Sequence, residues 1–230
     1  MVSTLAANLA EVRARLDAAA RRSGRDAASV RLMAVTKAHP REAVLEALEA
    51  GATLLGENRV QEAESKLIDL LDRCELHLIG HLQTNKARAA AALFSCVQSI
   101  DSVHAAQALS ARCEERSRTM DILLEMNTSG ETTKSGFPGG EELAAALPQI
   151  EMLPRLRVRG LMTVGPLTED RDLIRAAFAR LRGMFERLAT GRSRFDVLSM
   201  GMSSDFEIAV EEGSTLVRVG TALFGPRTPR

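Results

Sequence analysis

Val30-Arg31-Leu32-Met33-Ala34-Val35-Thr36-Lys37-Ala38-His39-Pro40 is a short apolar run that halts at a polar pair and gives way to a proline. The run has the length and the β-branched and aliphatic make-up of a buried strand. Pro40 is well placed as the first residue of a helix, and Val44, Leu45 and Leu48 carry helical spacing beyond it. Working outward, the same alternation recurs. Seven more runs follow, at Thr53 to Leu55, Leu76 to Ile79, Val97 to Ile100, Ile122 to Met126, Leu156 to Leu161, Phe195 to Leu198 and Leu216 to Val219. Periodic segments such as Leu173-Ala177-Leu181-Phe185-Leu188 separate them, and upstream Leu5, Leu9, Val12 and Leu16 mark an amphipathic helix over about residues 3 to 22.

Alternating strand and helix implies parallel pairing. Eight such units in 230 residues predict an α/β fold, a (β/α)8 TIM-type barrel with an extra N-terminal helix. An open doubly wound sheet is disfavoured, because no G-x-G-x-x-G follows the first strand and the even spacing lacks a long central crossover. No linker or low-complexity tract divides the chain, so residues 1–230 are expected to form a single domain, with Ser129 to Gly140 as one long loop.

Composition narrows the function. Thirty Lys and Arg balance thirty Asp and Glu, which leaves no electrostatic footprint for nucleic acid or an anionic membrane. No stretch approaches the roughly 18 apolar residues of a membrane span, and the N-terminal segment lacks the pattern of a signal peptide. Cys74, Cys96 and Cys113 are odd in number and show no C-x-x-C spacing, so neither a disulfide framework nor a metal site is indicated and a cytoplasmic location is expected. The chain has Tyr 0 and Trp 0, which excludes a phenol as acid or base. Only four of its thirty basic residues are lysines, Lys37, Lys66, Lys86 and Lys134. Lysine can form an imine or lose its proton; arginine can do neither.

In a barrel the chemistry sits on the rim after each strand. The rim residues here include Thr36-Lys37, Gly56-Glu57-Asn58-Arg59, Gly80-His81, Asn127, Gly201-Met202-Ser203-Ser204 and Gly220-Thr221. Loops after the seventh and eighth strands often hold a phosphate, and both here offer glycine with a hydroxyl. Turn geometry and helix capping would explain the same residues. Ser204-Asp205-Phe206-Glu207 matches a capping box, which assigns Ser204 to its own helix and leaves Ser203 for the phosphate. Lys37 follows an apolar strand, a setting that suits either a Schiff-base nucleophile or an ordinary strand-end lysine. Arg218 alternates with Val217 and Val219 and so points into the barrel, where it needs a carboxylate such as Glu207 or Glu211, the reading favoured by composition, or a ligand atom. Imine lysine, phosphate cup and inward arginine together describe the protein side of a pyridoxal 5′-phosphate site.

Ala34-Val35-Thr36-Lys37, Gly56-Glu57-Asn58, His77-Leu78-Ile79-Gly80-His81-Leu82-Gln83, Lys134-Ser135-Gly136, Arg159-Gly160-Leu161-Met162, Gly201-Met202-Ser203 and Val217 to Gly225 occur in the order seen in one family. Over nearly its whole length the chain resembles the pyridoxal phosphate homeostasis proteins, relatives of the alanine racemase N-terminal barrel. The resemblance implies the cofactor on Lys37, its phosphate near Ser203, Gly220 and Thr221, its ring nitrogen facing Arg218, and Asn58 lining the pocket. Two positions depart from it: Arg59 stands where relatives often have Tyr, and Leu76 where they often have Trp.

With no tyrosine to serve as a second base, the chain is expected to act as a carrier or buffer that keeps the reactive aldehyde masked and releases it to apo-enzymes, without efficient catalysis of its own. An arginine at the pyridine nitrogen disfavours its protonation and weakens the ring as an electron sink. A weak amino-acid racemase using a base such as His81, a class I aldolase using Lys37 without cofactor, or a pure interaction module are the other readings. A monomer is expected, since a barrel closes its own edges.

Overall fold

The computed structural model describes residues 3–128 and 135–226. Eight parallel strands, β1 (Arg31–Val35), β2 (Leu54–Glu57), β3 (Glu75–Leu78), β4 (Cys96–Ile100), β5 (Met120–Glu125), β6 (Leu156–Met162), β7 (Val197–Ser199) and β8 (Leu216–Val219), pair in chain order and close into a barrel. The closing pair sets Met33 against Arg218 and Ala34 against Val219. Helices α1 (Thr4–Arg22), α2 (Arg41–Glu49), α3 (Val60–Leu67), α4 (Ala87–Leu93), α5 (Val103–Glu115), α6 (Gly140–Glu151), α7 (Arg171–Ala189), α8 (Phe206–Glu211) and α9 (Thr221–Phe224) complete the described elements. The barrel and the extra N-terminal helix are as the sequence predicts. Pro40 lies one residue outside α2, at its cap position.

Strand alternation sorts the side chains into two cores. Ala34, Leu55, Leu76, Leu78, Val97, Ile122, Leu124, Leu161, Leu198, Val217 and Val219 face the helices. Met33, Val35, Leu54 and Leu216 face the axis with Ile79 and Val197, beside a second inner group of Cys96, Leu123 and Met162. The helices follow their own signals. In α1 the Ser3 hydroxyl accepts from the Ala6 amide, and Leu5, Leu9, Val12 and Leu16 form the buried stripe. Burial of each such leucine contributes about 2 kcal/mol. Helix α1 packs on α8 and α9, and Arg15 pairs with Glu207 at 3.0 Å. Asp170 caps α7 through the Asp172 and Leu173 amides, and Ile174, Ala177, Phe178 and Leu181 are buried at helical spacing.

The capping box at Ser204 does not form. Helix α8 starts after Asp205, and the Asp205 carboxylate turns back to accept the Met202 amide instead, so the local loop geometry outcompetes the helix for the nearest acceptor.

Candidate functional site

Because Leu216 lies in the inner core and Val217 and Val219 in the outer one, Arg218 points into the barrel, as alternation predicts. It is 4% exposed. Its Nη1 donates to Ser199 Oγ and its Nη2 to the Thr163 carbonyl, both at 2.7 Å. The expected pairing with Glu207 or Glu211 is overturned. Glu207 is held by Arg15, and Glu211 by Arg22 and Arg175, all outside the barrel wall. Among the described residues no carboxylate forms an ion pair with Arg218. Burial pushes its pKa down to about 10, with Asp205 and Glu125 pulling the other way from a distance.

Polar side chains continue inward from the arginine. Ser199 Oγ donates to Gln98 Oε1 at 2.7 Å, and Gln98 Nε2 donates to His77 Nδ1 at 2.8 Å. His77 then carries its proton on Nε2 and donates it to Glu75 at 2.7 Å. Glu75 is paired with Arg31 at the N-terminal mouth. A cavity of about 320 Å³ opens there, but Arg31 is paired with Glu75, and Arg159 with Asp121 and Asp196, so its charges are matched within the wall.

At the opposite rim, the Thr36 amide still donates to the Gly56 carbonyl while the Thr36 hydroxyl donates to Glu57 on the outer side of the wall. The next residue, half-buried Lys37, stands in the turn at the rim, two positions beyond the inward-facing Val35. Ala38 follows at a φ of 62°. His39 stacks on Phe224, with ring centroids 4.7 Å apart. Asn58 ends the inward parity of β2, half-buried, and its backbone lies so close to the next loop that a Cβ on Gly80 would come within 2.3 Å of the Asn58 carbonyl oxygen.

The loops after β7 and β8 meet. The Ser203 hydroxyl oxygen accepts from the Gly220 amide at 3.1 Å and the Ala222 amide at 3.2 Å. Two amides thus already point at one oxygen, and the Ser203 proton is left to donate. Gly201, at a φ of 95°, makes the turn into this loop. Gly220 packs against Val35, two residues before Lys37, so the hydroxyl-and-amide cup adjoins the lysine strand. Thr221 is exposed at the first position of α9.

Elsewhere on the rim, His81 Nδ1 lies 3.0 Å from Asp101 with its ring exposed. Glu125, 5% exposed on the inward face of β5, accepts from the Ser135 hydroxyl at 2.9 Å. Burial pushes its carboxyl above the ordinary range. Lys134 lies outside the described residues. Sequence reasoning missed Gln98, Ser199, Thr163 and Ala222. The signal for the first two was available: a polar residue on the inward parity of an otherwise apolar strand, as in Cys96-Val97-Gln98 and Val197-Leu198-Ser199.

The family model for the alanine racemase N-terminal domain matches residues 7–228. The chain is 45% identical over 227 residues to the pyridoxal phosphate homeostasis protein of Pseudomonas aeruginosa, covering 98% of this chain and 97% of that one. Among solved structures it is similar to an unknown protein from Bifidobacterium adolescentis, with a TM-score of 0.91 and 36% identity over 96% of this chain and 94% of that one. It is also similar to PipY of Synechococcus elongatus PCC7942 in its PLP-bound form, with a TM-score of 0.84 and 38% identity over 96% of this chain and 100% of that chain.

Proposed function

The chain belongs to the pyridoxal phosphate homeostasis proteins of the alanine racemase N-terminal domain family, and from that premise we propose that it holds pyridoxal 5′-phosphate as a Schiff base on Lys37. The observation that carries the reading is Arg218: a buried guanidinium without a carboxylate, on the inner wall below Lys37, calls for an acceptor supplied by a ligand. A pyridine nitrogen is such an acceptor. The residues fit the rest of the group. The Ser203 hydroxyl, its oxygen held by the amides of Gly220 and Ala222, keeps its proton to donate to a phosphate, Thr221 adds a hydroxyl at the same helix start, and Asn58 stands across the mouth.

When bound, the cofactor supplies an aldehyde and an electron-withdrawing ring. Lys37 would hold the cofactor covalently through its amine. Arg218 stays protonated at neutral pH even with its pKa lowered to about 10, and its charge keeps a facing ring nitrogen unprotonated. That favours storage over catalysis. A second base of the phenol type is excluded by Tyr 0. The protein therefore acts as a carrier or buffer in cofactor homeostasis, supplying apo-enzymes, in the cytoplasm and as a monomer, with residues 1–230 forming one cofactor-binding domain. The closed barrel and three unpaired cysteines are consistent with this setting.

One observation favours a weak racemase as the second reading: His81, oriented by Asp101, stands on the same rim. Racemisation above the free-cofactor background and lost in Lys37→Ala would decide for it.

The direct test is borohydride reduction of the protein with pyridoxal phosphate, followed by peptide mass spectrometry. Stoichiometric phosphopyridoxyl label on Lys37, absent in Lys37→Ala, is the expected result. Label spread evenly over Lys66, Lys86 and Lys134 would overturn the proposal.

A further inference from the structure

Lys66 is 7% exposed, an unusual position for an ammonium group, and its partners are specific. Its Nζ donates to the Thr36 carbonyl at 2.7 Å and the His39 carbonyl at 3.1 Å, and pairs with Glu57 at 2.7 Å and Glu62 at 3.0 Å. The two carbonyls lie on either side of Lys37. The two carboxylates grip the same segment from their own side: Glu57 accepts from the Thr36 hydroxyl, and Glu62 accepts from the Ala38 amide. A segment of five residues without regular structure, with Ala38 at a positive φ, is thus fastened at Thr36, Ala38 and His39 to one buried cation and its counter-ions.

A surface lysine would gain little from such contacts and would retain its freedom. Here the Thr36–Lys37 and His39–Pro40 peptides cannot rotate without stripping an acceptor from a buried ammonium, which costs far more than breaking a solvated pair, and the Lys37–Ala38 peptide cannot rotate without breaking the Ala38 hydrogen bond to Glu62. We propose that Lys66 is a positioning residue for Lys37: it acts through the carbonyls of Thr36 and His39 to hold the Lys37 backbone so that the amine is aimed into the barrel. The inference rests on Lys37 as the cofactor lysine. It assigns to a second, non-reacting lysine the pre-organisation that the condensation requires.

The test uses the full-length protein and pyridoxal phosphate, with three readouts. In wild type, hydrogen exchange should show the Ala38 and His39 amides protected to the level of β1; exchange at the rate of an open loop would overturn the proposal with no variant needed. Lys66→Met removes the clamp but leaves two carboxylates facing each other, so it is paired with Lys66→Met/Glu57→Gln, which removes the buried uncompensated charge and keeps an acceptor for Thr36. The double variant should retain cooperative unfolding, lose protection at Ala38 and His39, and form the borohydride-trapped label on Lys37 at least about tenfold more slowly. Its absorbance maximum with bound cofactor should move as well. Trapping at the wild-type rate with an unchanged spectrum, in a folded double variant, would overturn the role of Lys66 while leaving the cofactor reading intact. Failure of wild type itself to label Lys37 would instead remove the cofactor reading.

Discussion

Arg218 and Glu75, a cation in the upper barrel and a carboxylate at its lower mouth, are joined by four hydrogen bonds that all run in one direction, through Ser199, Gln98 and His77. Each donor polarises the next, so the buried guanidinium shares a relayed partner in place of a contacting one. Replacing Gln98 with Leu strands the Ser199 hydroxyl and His77 Nδ1 without that partner in the buried interior. A stability loss of about 2–3 kcal/mol in urea titration is expected, with weaker cofactor binding, because Arg218 loses its support. A loss below about 0.5 kcal/mol would show that water or repacking replaces the chain.

The same chain sets an acid limit. Hydrogen bonding from His77, aided by Arg31, holds the Glu75 carboxyl down to about 2 against an ordinary 4.5. A depressed folded pKa means the ionised group stabilises the fold above about pH 4.5, and the contribution drains away as pH falls towards 2. Glu75 is 40% exposed, so solvent screening reduces the effect to about 1 kcal/mol. The melting temperature of Glu75→Gln should therefore fall less steeply than that of wild type between those pH values. Parallel curves would contradict the assignment.

Gly201 offers a sharper test of the turn that presents Ser203. A Cβ there would lie 2.5 Å from Ala209 Cβ and 2.9 Å from Phe206 Cα, at a φ of 95°. Gly201→Ala should cost about 3–5 kcal/mol. Gly24, at a φ of 69° with nothing within 4 Å of the new atom, should tolerate Ala at about 1 kcal/mol. Equal losses in chemical denaturation would mean that backbone conformation alone, and not packing, controls both sites.

Ser203→Ala removes a hydroxyl that accepts two amides and can donate its own proton to a phosphate. Spectrophotometric titration with pyridoxal phosphate should show affinity about tenfold weaker, the equivalent of one charge-assisted hydrogen bond. Pyridoxal, which lacks the phosphate, should bind the variant and wild type alike. A matching loss for both ligands would place the effect elsewhere.

The barrel was legible because most strands, buried on both faces over the greater part of their length, read as short apolar runs. The edges were less so. Phe195 looked like the start of the seventh strand, yet its ring packs on Phe185 at 5.4 Å and the ladder begins at Val197. The rim position of Lys37, the inward face of Arg218 and the meeting of the Ser203 and Gly220 loops were also accessible, since each follows from strand order and parity. The partner of Arg218 was not, because Ser199 and the Thr163 carbonyl reach it only when the barrel closes, from 19 and 55 residues away. Lys66 was equally hidden. On α3 it reads as an ordinary i,i+4 partner of Glu62, and the carbonyls that bury it belong to residues 27 and 30 positions earlier.

The stack of His39 on Phe224 ties the loop that follows Lys37 to the short helix that follows Gly220. A small molecule fastened at both places is a chelate: while one end remains attached, the other finds its seat again at high effective concentration, and escape requires both to let go together. The residence time of a ligand so held would then depend on how firmly this stack keeps the two seats at a fixed separation.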